Sequence, residues 1–241
     1  MNKNIKSHGE NMKLIIENIQ KDFGEKKVLK DCSYEFEQGI IYGLLGRNGS
    51  GKTTLFKTIY GDYPLEEGQM YLEKDGVRKK LEGKNLGMVF SQPIIPDFLT
   101  GYEFIKFYID VHGSHGDLKV EDYFRMFKFE EEDIHRLIRG YSHGMKSKLN
   151  LITLFISKPE VMLLDEPLTS LDVVVANEIK KFLLELKGDH IIVFSTHILQ
   201  LAKDMCDEIV LLKDGRLEGL KELDKTSDSY EEEIIEHLTR D

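Results

Sequence analysis

The stretch Gly46-Arg47-Asn48-Gly49-Ser50-Gly51-Lys52-Thr53 decides the fold of this chain. It fits the pattern G-x-x-x-x-G-K-[ST], in which a glycine-rich turn holds phosphate groups between a strand and a helix. The apolar run from Ile40 to Leu45 precedes it and predicts a buried strand, and the stretch from Thr54 to Tyr60 predicts a helix. Strand, glycine turn and helix are the context that the pattern requires, so the sequence predicts a nucleotide-binding site.

The residue types of this loop suit the phosphates of a nucleotide. Gly46, Gly49 and Gly51 let the backbone turn its N–H groups inward, and the positive end of the following helix adds to the attraction for anions. Lys52 adds a charge for the β- and γ-phosphates, and the hydroxyl of Thr53 is placed to bind Mg²⁺. We expect further loop contacts with the nucleotide from Asn48, Ser50 and Thr54.

The composition excludes several classes of protein. The chain has 241 residues, of which 41% are hydrophobic, and a net charge of −10, which argues against non-specific binding to nucleic acid or to anionic lipid. No apolar run approaches the ~18–20 residues of a membrane-spanning helix, and residues 1–11 predict a polar, flexible tail without the apolar core of a signal peptide. We therefore expect no direct membrane insertion, and any membrane contact should run through a protein partner.

The rest of the chain predicts a single α/β domain, residues 1–241, with a phosphate-loop core and a mostly parallel sheet. Leu14 to Ile19, the pair Val28-Leu29 and Ser33 to Phe36 predict the strands of an antiparallel β subdomain. Between Thr100 and Arg139 apolar and aromatic residues at helical spacing predict a buried aromatic stripe: Phe104, Phe107, Tyr108, Val111, Tyr123, Phe124 and Phe127. We expect a helical subdomain over about residues 100–150. Ser229 and Glu232 form a possible capping box for a C-terminal helical extension within about residues 221–241.

Polar residues follow three predicted buried strands of the parallel sheet. Gln92 follows the strand from Leu86 to Phe90, Asp165 and Glu166 follow Val161 to Leu164, and His197 follows Ile191 to Phe194. Ligands of α/β sheets bind at the carboxyl ends of the strands, so these side chains are expected to meet the phosphates. Asp165 can hold Mg²⁺ through its water shell, and Glu166 can orient a water molecule.

Two residues keep two interpretations each. Phe23 lies in a predicted turn upstream of the loop, where it could stack on a base or cover the edge of the sheet. Ser142 precedes a predicted helix. It could serve only as the N-cap of that helix, or the start of the helix could be a second anion-binding site. The residues alone leave both choices open.

Four motifs spaced along the chain resemble those of the nucleotide-binding subunit of an ATP-binding cassette (ABC) transporter. The likeness spans about Leu14 to Leu220. Gly46 to Thr53 matches the Walker A loop, and Val161 to Glu166 matches Walker B. Tyr141 to Met145 matches the signature motif, and Ser170 to Asp172 matches the D-loop. His143 and Met145 depart from the commonest signature, Leu-Ser-Gly-Gly-Gln, and are expected to affect turnover rate and dimer affinity.

The resemblance implies roles for single residues. The implied catalytic residues are Glu166, His197 and Gln92, respectively the catalytic glutamate, the switch histidine and the Q-loop glutamine that senses the γ-phosphate. The implied metal ligands are Thr53, Gln92 and Asp165. Phe23 takes the place of the aromatic residue that stacks on adenine. Ser142 and Gly144 would act on the ATP of a partner chain.

The resemblance also implies an activity and partners. It implies Mg²⁺-dependent hydrolysis of ATP to ADP and phosphate, which powers transport of a substrate through a separate transmembrane permease. Two such chains, a homodimer or a heterodimer with another ATP-binding subunit, would pack head-to-tail at the cytoplasmic face of the cell membrane. With no regulatory domain after the last strand, the chain resembles the stand-alone ATPases of bacterial export systems.

Other classes with a phosphate loop fit less well. ABC proteins of DNA maintenance carry long coiled-coil insertions, whereas Lys52 and Asp165 stand only 113 positions apart. Translation-associated ABC proteins carry two cassettes in one chain. A regulatory module that binds ATP without hydrolysis would not need Glu166 and His197, and a nucleotide kinase would not explain the stretch from Tyr141 to Met145.

Overall fold

The computed structural model describes residues 11–113, 118–168, 171–220, 227 and 229–239. The predicted tail, except residue 11, and Ser170 of the predicted D-loop lie outside these ranges. None of the helices in the described ranges combines the length and the apolar character that a membrane span requires.

The strands are β1 (Met12–Phe23), β2 (Lys26–Glu37), β3 (Ile41–Leu45), β4 (Glu67–Lys74), β5 (Val77–Lys80), β6 (Leu86–Val89), β7 (Val161–Asp165), β8 (Ile191–Ser195), β9 (Glu208–Lys213) and β10 (Arg216–Gly219). The α-helices are α1 (Lys52–Tyr60), α2 (Gly101–His112), α3 (Val120–Met126), α4 (Glu131–Ile134), α5 (His143–Ser157), α6 (Val173–Leu186), α7 (Leu199–Met205) and α8 (Tyr230–Thr239).

Two sheets organise the described residues. One is antiparallel, with the strand order β2-β1-β4-β5, and the other has the order β10-β9-β3-β8-β7-β6. In the second sheet β9, β3, β8, β7 and β6 pair in parallel, and β10 pairs antiparallel with β9. The predicted mixture of a mostly parallel sheet, an antiparallel sheet and helices is therefore confirmed.

Apolar runs place the parallel sheet in the centre of the molecule. Every residue of β3, β7 and β8 is buried. Because successive side chains of a strand point to opposite faces, Met162 and Leu164 join one core cluster while Val161 and Leu163 join the other. A sheet buried on both faces needs no polar alternation, which is why these strands read as continuous apolar segments. The polar residues that end them thus lie together at one edge.

The aromatic stripe of the helical part is only partly a core. Tyr123, Phe124 and Phe127 are buried, as predicted. Phe107 and Val111 on α2 are each 61% exposed, so the prediction that they are core residues is wrong. Helical spacing marks a common face but cannot tell whether a neighbour within the same chain covers it.

Three local expectations also need correction. Phe23 is the last residue of β1, not a turn residue, and the two short strands predicted between positions 28 and 36 are one irregular strand, β2. The irregularity has a cause, because Asn18 and Asp31 adopt positive φ angles and shift the register between β1 and β2. At the start of α8 the backbone N–H of Ser229 donates to Ser227 Oγ (3.2 Å) and its hydroxyl donates to Glu233 (2.5 Å), so the predicted capping box with Glu232 does not form.

Candidate nucleotide site

The loop between β3 and α1 has a shape that only glycine permits. Gly49 and Gly51 have φ angles of 80° and 109°. A Cβ atom on Gly51 would stand 2.9 Å from Val28 Cγ1, and one on Gly46 would stand 2.7 Å from the carbonyl oxygen of Leu212. The backbone therefore forms a concave turn at the start of α1, the arrangement that suits a phosphate group.

Lys52 lies folded along this loop. Its side chain is buried, and its Nζ donates a hydrogen bond to the carbonyl oxygen of Gly46 (2.8 Å). Burial lowers the pKa of the Lys52 ammonium, and the charges of Glu166 and Asp165 oppose that shift. The ammonium thus stands inside the loop beside two carboxylates.

Asp165 ends β7 and ties three elements together. Thr53 Oγ1, in the first turn of α1, donates to Asp165 Oδ2 (2.8 Å). Ser195 Oγ, at the end of β8, donates to Asp165 Oδ1 (2.7 Å). The carboxylate is 1% exposed, so these two bonds fix its orientation. A hydroxyl and a carboxylate oxygen side by side are the ligand type that Mg²⁺ prefers, so the residues present fit that ion.

Glu166 is turned away from Asp165 by its backbone. It has a positive φ of 51°, which is unusual for a non-glycine residue, and its N–H donates to Ser195 Oγ (3.1 Å). Both carboxylate oxygens of Glu166 lie 3.0 Å from Nδ1 of His197. The two adjacent acids therefore have different neighbours. Asp165 bonds to Thr53, and Glu166 lies against His197.

A cleft of about 530 Å³ joins these groups. It is lined by Phe23, Lys26, Val28, Asn48, Gly49, Gly51, Lys52, Thr53, Thr54, Asp165 and Glu166. Gly46 and Ser50 are not among its lining residues. Gly46 is buried, and Ser50 Oγ would stand only 2.5 Å from a Cβ atom on it, so the Ser50 side chain packs beneath the loop.

Phe23 has features that suit both of its interpretations. It lines the cleft with 46% of its surface exposed. Its ring also packs edge-on against Tyr63, with 5.3 Å between the ring centroids, and Lys21 Nζ lies 5.4 Å from its centroid. The ring is therefore held in place on one side and open on the other.

Besides Gly46 and Ser50, four of the expected site residues do not line the cleft: Gln92, Ser142, Gly144 and His197. Gln92 is exposed in the loop that follows β6, three residues beyond the strand. Ser142 is exposed and caps α5, its Oγ accepting from the N–H of Met145 (3.2 Å). His197 reaches the site through Glu166.

Sequence reasoning missed Ser195, Lys26, Val28 and Tyr63. Ser195 binds both Asp165 and the backbone of Glu166, and its position at the end of a buried strand was a usable signal. Lys26 and Val28 reach the cleft because the hairpin between β1 and β2 folds over the loop. Nothing in the local sequence indicates that approach.

A mostly parallel sheet with a glycine loop, a buried lysine and a strand-end aspartate bound to the loop threonine defines the class of phosphate-loop nucleotide-binding proteins. The family described as "ABC transporter" matches residues 29–169. An uncharacterized ABC transporter ATP-binding protein, YdbJ of Bacillus subtilis, is 30% identical over 230 residues, covering 92% of this chain and 73% of the relative. The chain belongs to the ABC transporter family, and it is an ATP-binding subunit with ATPase activity.

Two solved structures share the fold. A structure of an ATP-binding subunit of an ABC transporter has a TM-score of 0.79 at 24% identity, covering 94% of this chain and 99% of the other. A dimeric ATP-binding cassette, described in a post-hydrolysis state bound to ADP and Pi, has a TM-score of 0.71 at 23% identity. The match covers 86% of this chain and 98% of the other. The family match and the Bacillus subtilis relative confirm the resemblance to an ATP-binding subunit of an ABC transporter, and with it the predicted ATPase and transport functions. The solved structures confirm the fold class.

Proposed function

We propose that this chain hydrolyses Mg²⁺-ATP at the described cleft, as one of two cassettes that power a transmembrane permease from the cytoplasmic face of the membrane. The observation that carries the proposal is the pairing at one sheet edge: Thr53 with Asp165, and His197 with Glu166, beside the glycine loop. One pair suits a metal ion, and the other suits proton transfer.

Binding of ATP follows from the shape of the loop. Backbone N–H groups of Gly49, Gly51 and their neighbours surround the phosphates, and Lys52 exchanges its bond to Gly46 for the β- and γ-phosphates. Phe23 stacks on adenine at the open side of its ring. The remaining nucleotide contacts come from Asn48, Thr54 and the backbone of Ser50, with Gly46 giving the loop room to turn.

Thr53 and Asp165 are the protein ligands for Mg²⁺, with Gln92 reaching them from the loop after β6. When bound, Mg²⁺ neutralises charge that develops on the transferring phosphate. Ser195 has a positioning role, because it donates to Asp165 and accepts from the backbone of Glu166. A single hydroxyl thus aligns the metal-binding acid with the catalytic one.

Glu166 orients the water that attacks the γ-phosphate and draws its proton. The imidazole of His197 holds the Glu166 carboxylate at 3.0 Å, and closure of the site would bring it to the γ-phosphate. The water oxygen forms the new bond to phosphorus, ADP leaves with the electrons of the broken bond, and the water proton passes to Glu166.

A second cassette completes the site. Ser142 is exposed at the start of α5, and Gly144 follows in its first turn, and neither lines the cleft of its own chain. Ser142 caps α5 and leaves the helix start open to an anion from outside. We propose that this end binds the γ-phosphate of a partner chain in a head-to-tail dimer, in which the partner is a copy of this chain or a related subunit.

The permease is proposed to bind at a second cleft, the docking cleft, of about 500 Å³. It lies beside β6, the loop after it, α2 and α5, and its lining includes Phe90, Ile94, Phe104, Tyr108 and Asn150. Ile94 in its lining is 83% exposed, and Phe98, further along the same loop, is 73% exposed. Such a surface suits the apolar face of a short cytoplasmic helix, and Gln92 lies in the same loop.

Phosphate release by the purified chain tests the catalytic assignment. Glu166→Gln keeps the shape of the side chain but removes the charge that orients water, so turnover should fall by at least about 100-fold. Glu121→Gln, an exposed change on α3, is the matched control and should retain wild-type turnover. Wild-type turnover by Glu166→Gln would overturn the role of this residue.

A further inference from the structure

A cluster of positive charge lies beside the phosphate loop, in a cleft whose cationic side chains the proposed function does not use. This lysine cleft, of about 430 Å³, is lined by Lys26, Lys27, Lys30, Arg47 and Lys213. Asp214 is the one acidic residue among its described lining residues. In a chain with a net charge of −10, such a local excess of cations needs a reason.

The cations of the lysine cleft form no ion pair within the described ranges. None of the described salt bridges or side-chain hydrogen bonds involves Lys26, Lys27, Lys30 or Arg47. Lys213 Nζ donates to the carbonyl oxygen of His237 in α8 (3.1 Å), which is a dipole and not a charge. The mutual repulsion of these groups in a concave site is relieved by an anion.

A second cluster of lysines in the same molecule provides the contrast. Lys74, Lys79, Lys80 and Lys84 line a cleft of about 250 Å³ beside β4 and β5. There Lys74 pairs with Glu160, and Lys84 pairs with Glu82. Two of the four lysines of that cluster therefore have ion-pair partners, whereas none of the cations of the lysine cleft has one within the described ranges. The difference marks the lysine cleft as the site with free capacity for an anion.

The wall of the lysine cleft includes a buried polar group without a partner. Ser50 lines it, and its buried Oγ has no hydrogen-bond partner within the described part of the chain. Lys26, Val28, Asn48 and Gly49 line both this cleft and the nucleotide cleft, so the two are contiguous. Arg47 offers a planar fork of donors that matches phosphate oxygens.

We propose that the lysine cleft is a second anion site, which binds the phosphate or diphosphate group of a soluble ligand while the phosphate loop holds its nucleotide. The volume admits a diphosphate with several waters, and the donors are the ammonium groups of Lys27 and Lys30 with the guanidinium of Arg47. The C-terminal end of α8 forms part of the wall through Leu238 and Thr239, so the ligand touches an element remote from the phosphate loop in sequence.

The test is a calorimetric titration of inorganic pyrophosphate into the chain saturated with ADP in the absence of Mg²⁺. ADP fills the phosphate loop, so pyrophosphate can report only a separate site, and the ADP titration itself tests the nucleotide site independently. We expect residual binding of about one pyrophosphate per chain. Lys27→Glu with Lys30→Glu should weaken it by roughly tenfold or more, because charge-assisted hydrogen bonds are lost.

The control is the double variant Lys79→Glu with Lys80→Glu, which makes the same charge change on β5 and should leave pyrophosphate binding within about twofold of wild type. Lys27→Gln with Lys30→Gln repeats the loss without charge reversal, in case the first variant does not fold. Absence of pyrophosphate binding to the ADP-loaded chain would overturn the proposal. An equal loss in the β5 control would also overturn it, since it would show that only the overall charge matters.

Discussion

Single residues of the nucleotide site depend on burial for their chemistry. Lys52 is held inside the loop, where water cannot screen its charge, and Asp165 is fixed by two hydroxyl groups. An interaction between charged groups is stronger in such a place than at the surface. The consequence is that conservative changes of these residues should have large effects on nucleotide binding.

Lys52→Ala should reduce ATP affinity by at least about 100-fold, because it removes the ammonium that faces the β- and γ-phosphates. Fluorescence titration with a labelled ATP analogue measures this. Lys106→Ala on α2, where the lysine pairs with Asp110 at the surface, should bind ATP as the wild type does. Near-wild-type affinity of Lys52→Ala would exclude the proposed role.

Phe23→Ala should weaken ATP binding by ~1–3 kcal/mol, the usual contribution of base–aromatic stacking. Phe23→Tyr keeps the ring and should bind nearly as tightly as the wild type. If the ring only covers the sheet edge with Tyr63, Phe23→Ala will lower the melting temperature and leave ATP affinity unchanged. Affinity and melting temperature measured together therefore separate the two interpretations.

His190 makes stability depend on pH. Burial lowers the pKa of its imidazole below 6.5, against the opposing hydrogen bond to the carbonyl oxygen of Pro159 and the charges of Asp189 and Glu160, and the charge of Lys158 lowers it further. The unfolded state therefore takes up the proton first, so stability present above pH 6.5 is lost as the pH falls. Denaturant unfolding from about pH 7 to about pH 5.5 should show a smaller loss for His190→Gln than for the wild type.

At the scale of elements, the buried strands were predictable and the exposed helix face was not. Continuous apolar runs placed β3, β7 and β8 within a residue or so of their observed ends. The spacing on α2 correctly indicated a helix, but Phe107 and Val111 face solvent. Periodicity reports which side chains share a face, and only the packing of the whole chain decides what covers that face.

The open face of α2 is the element that we expect to meet the permease. A photo-crosslinking residue at position 107 should attach to the permease in membranes where the transporter is assembled, and it should do so less when the nucleotide is removed. The same residue at position 235, an exposed position on α8, is the control. Attachment of the permease to position 235 and not to position 107 would contradict the proposed docking surface on α2.

At the scale of the whole molecule, motif order carried more information than any single motif. The glycine loop, the acidic strand end and the histidine were each recognisable because the chemistry of phosphates requires them. Their mutual distances come from the parallel sheet, which aligns the strand ends. One example is the 3.0 Å between Glu166 Oε1 and His197 Nδ1. The lysine cleft was not predictable, since it joins positions 26–30, 47 and 213 that carry no shared motif.

The composite ATP site is also a property of the whole molecule. Within one chain the cleft holds the loop, Asp165 and Glu166, while Ser142 and Gly144 stand elsewhere. If those two residues complete the site of a second chain, ATP joins two chains, and removal of its γ-phosphate lets them part. A variant that binds ATP without hydrolysis should therefore accumulate as a pair.

Light scattering of Glu166→Gln with ATP and Mg²⁺ tests this central claim most directly. We predict twice the mass of one chain with ATP and the mass of one chain with ADP. Gly144→Glu added to the same variant should return the ATP sample to a single chain, because a carboxylate would repel the γ-phosphate. A Glu166→Gln chain that binds ATP yet shows the same mass with ATP as with ADP would contradict the account.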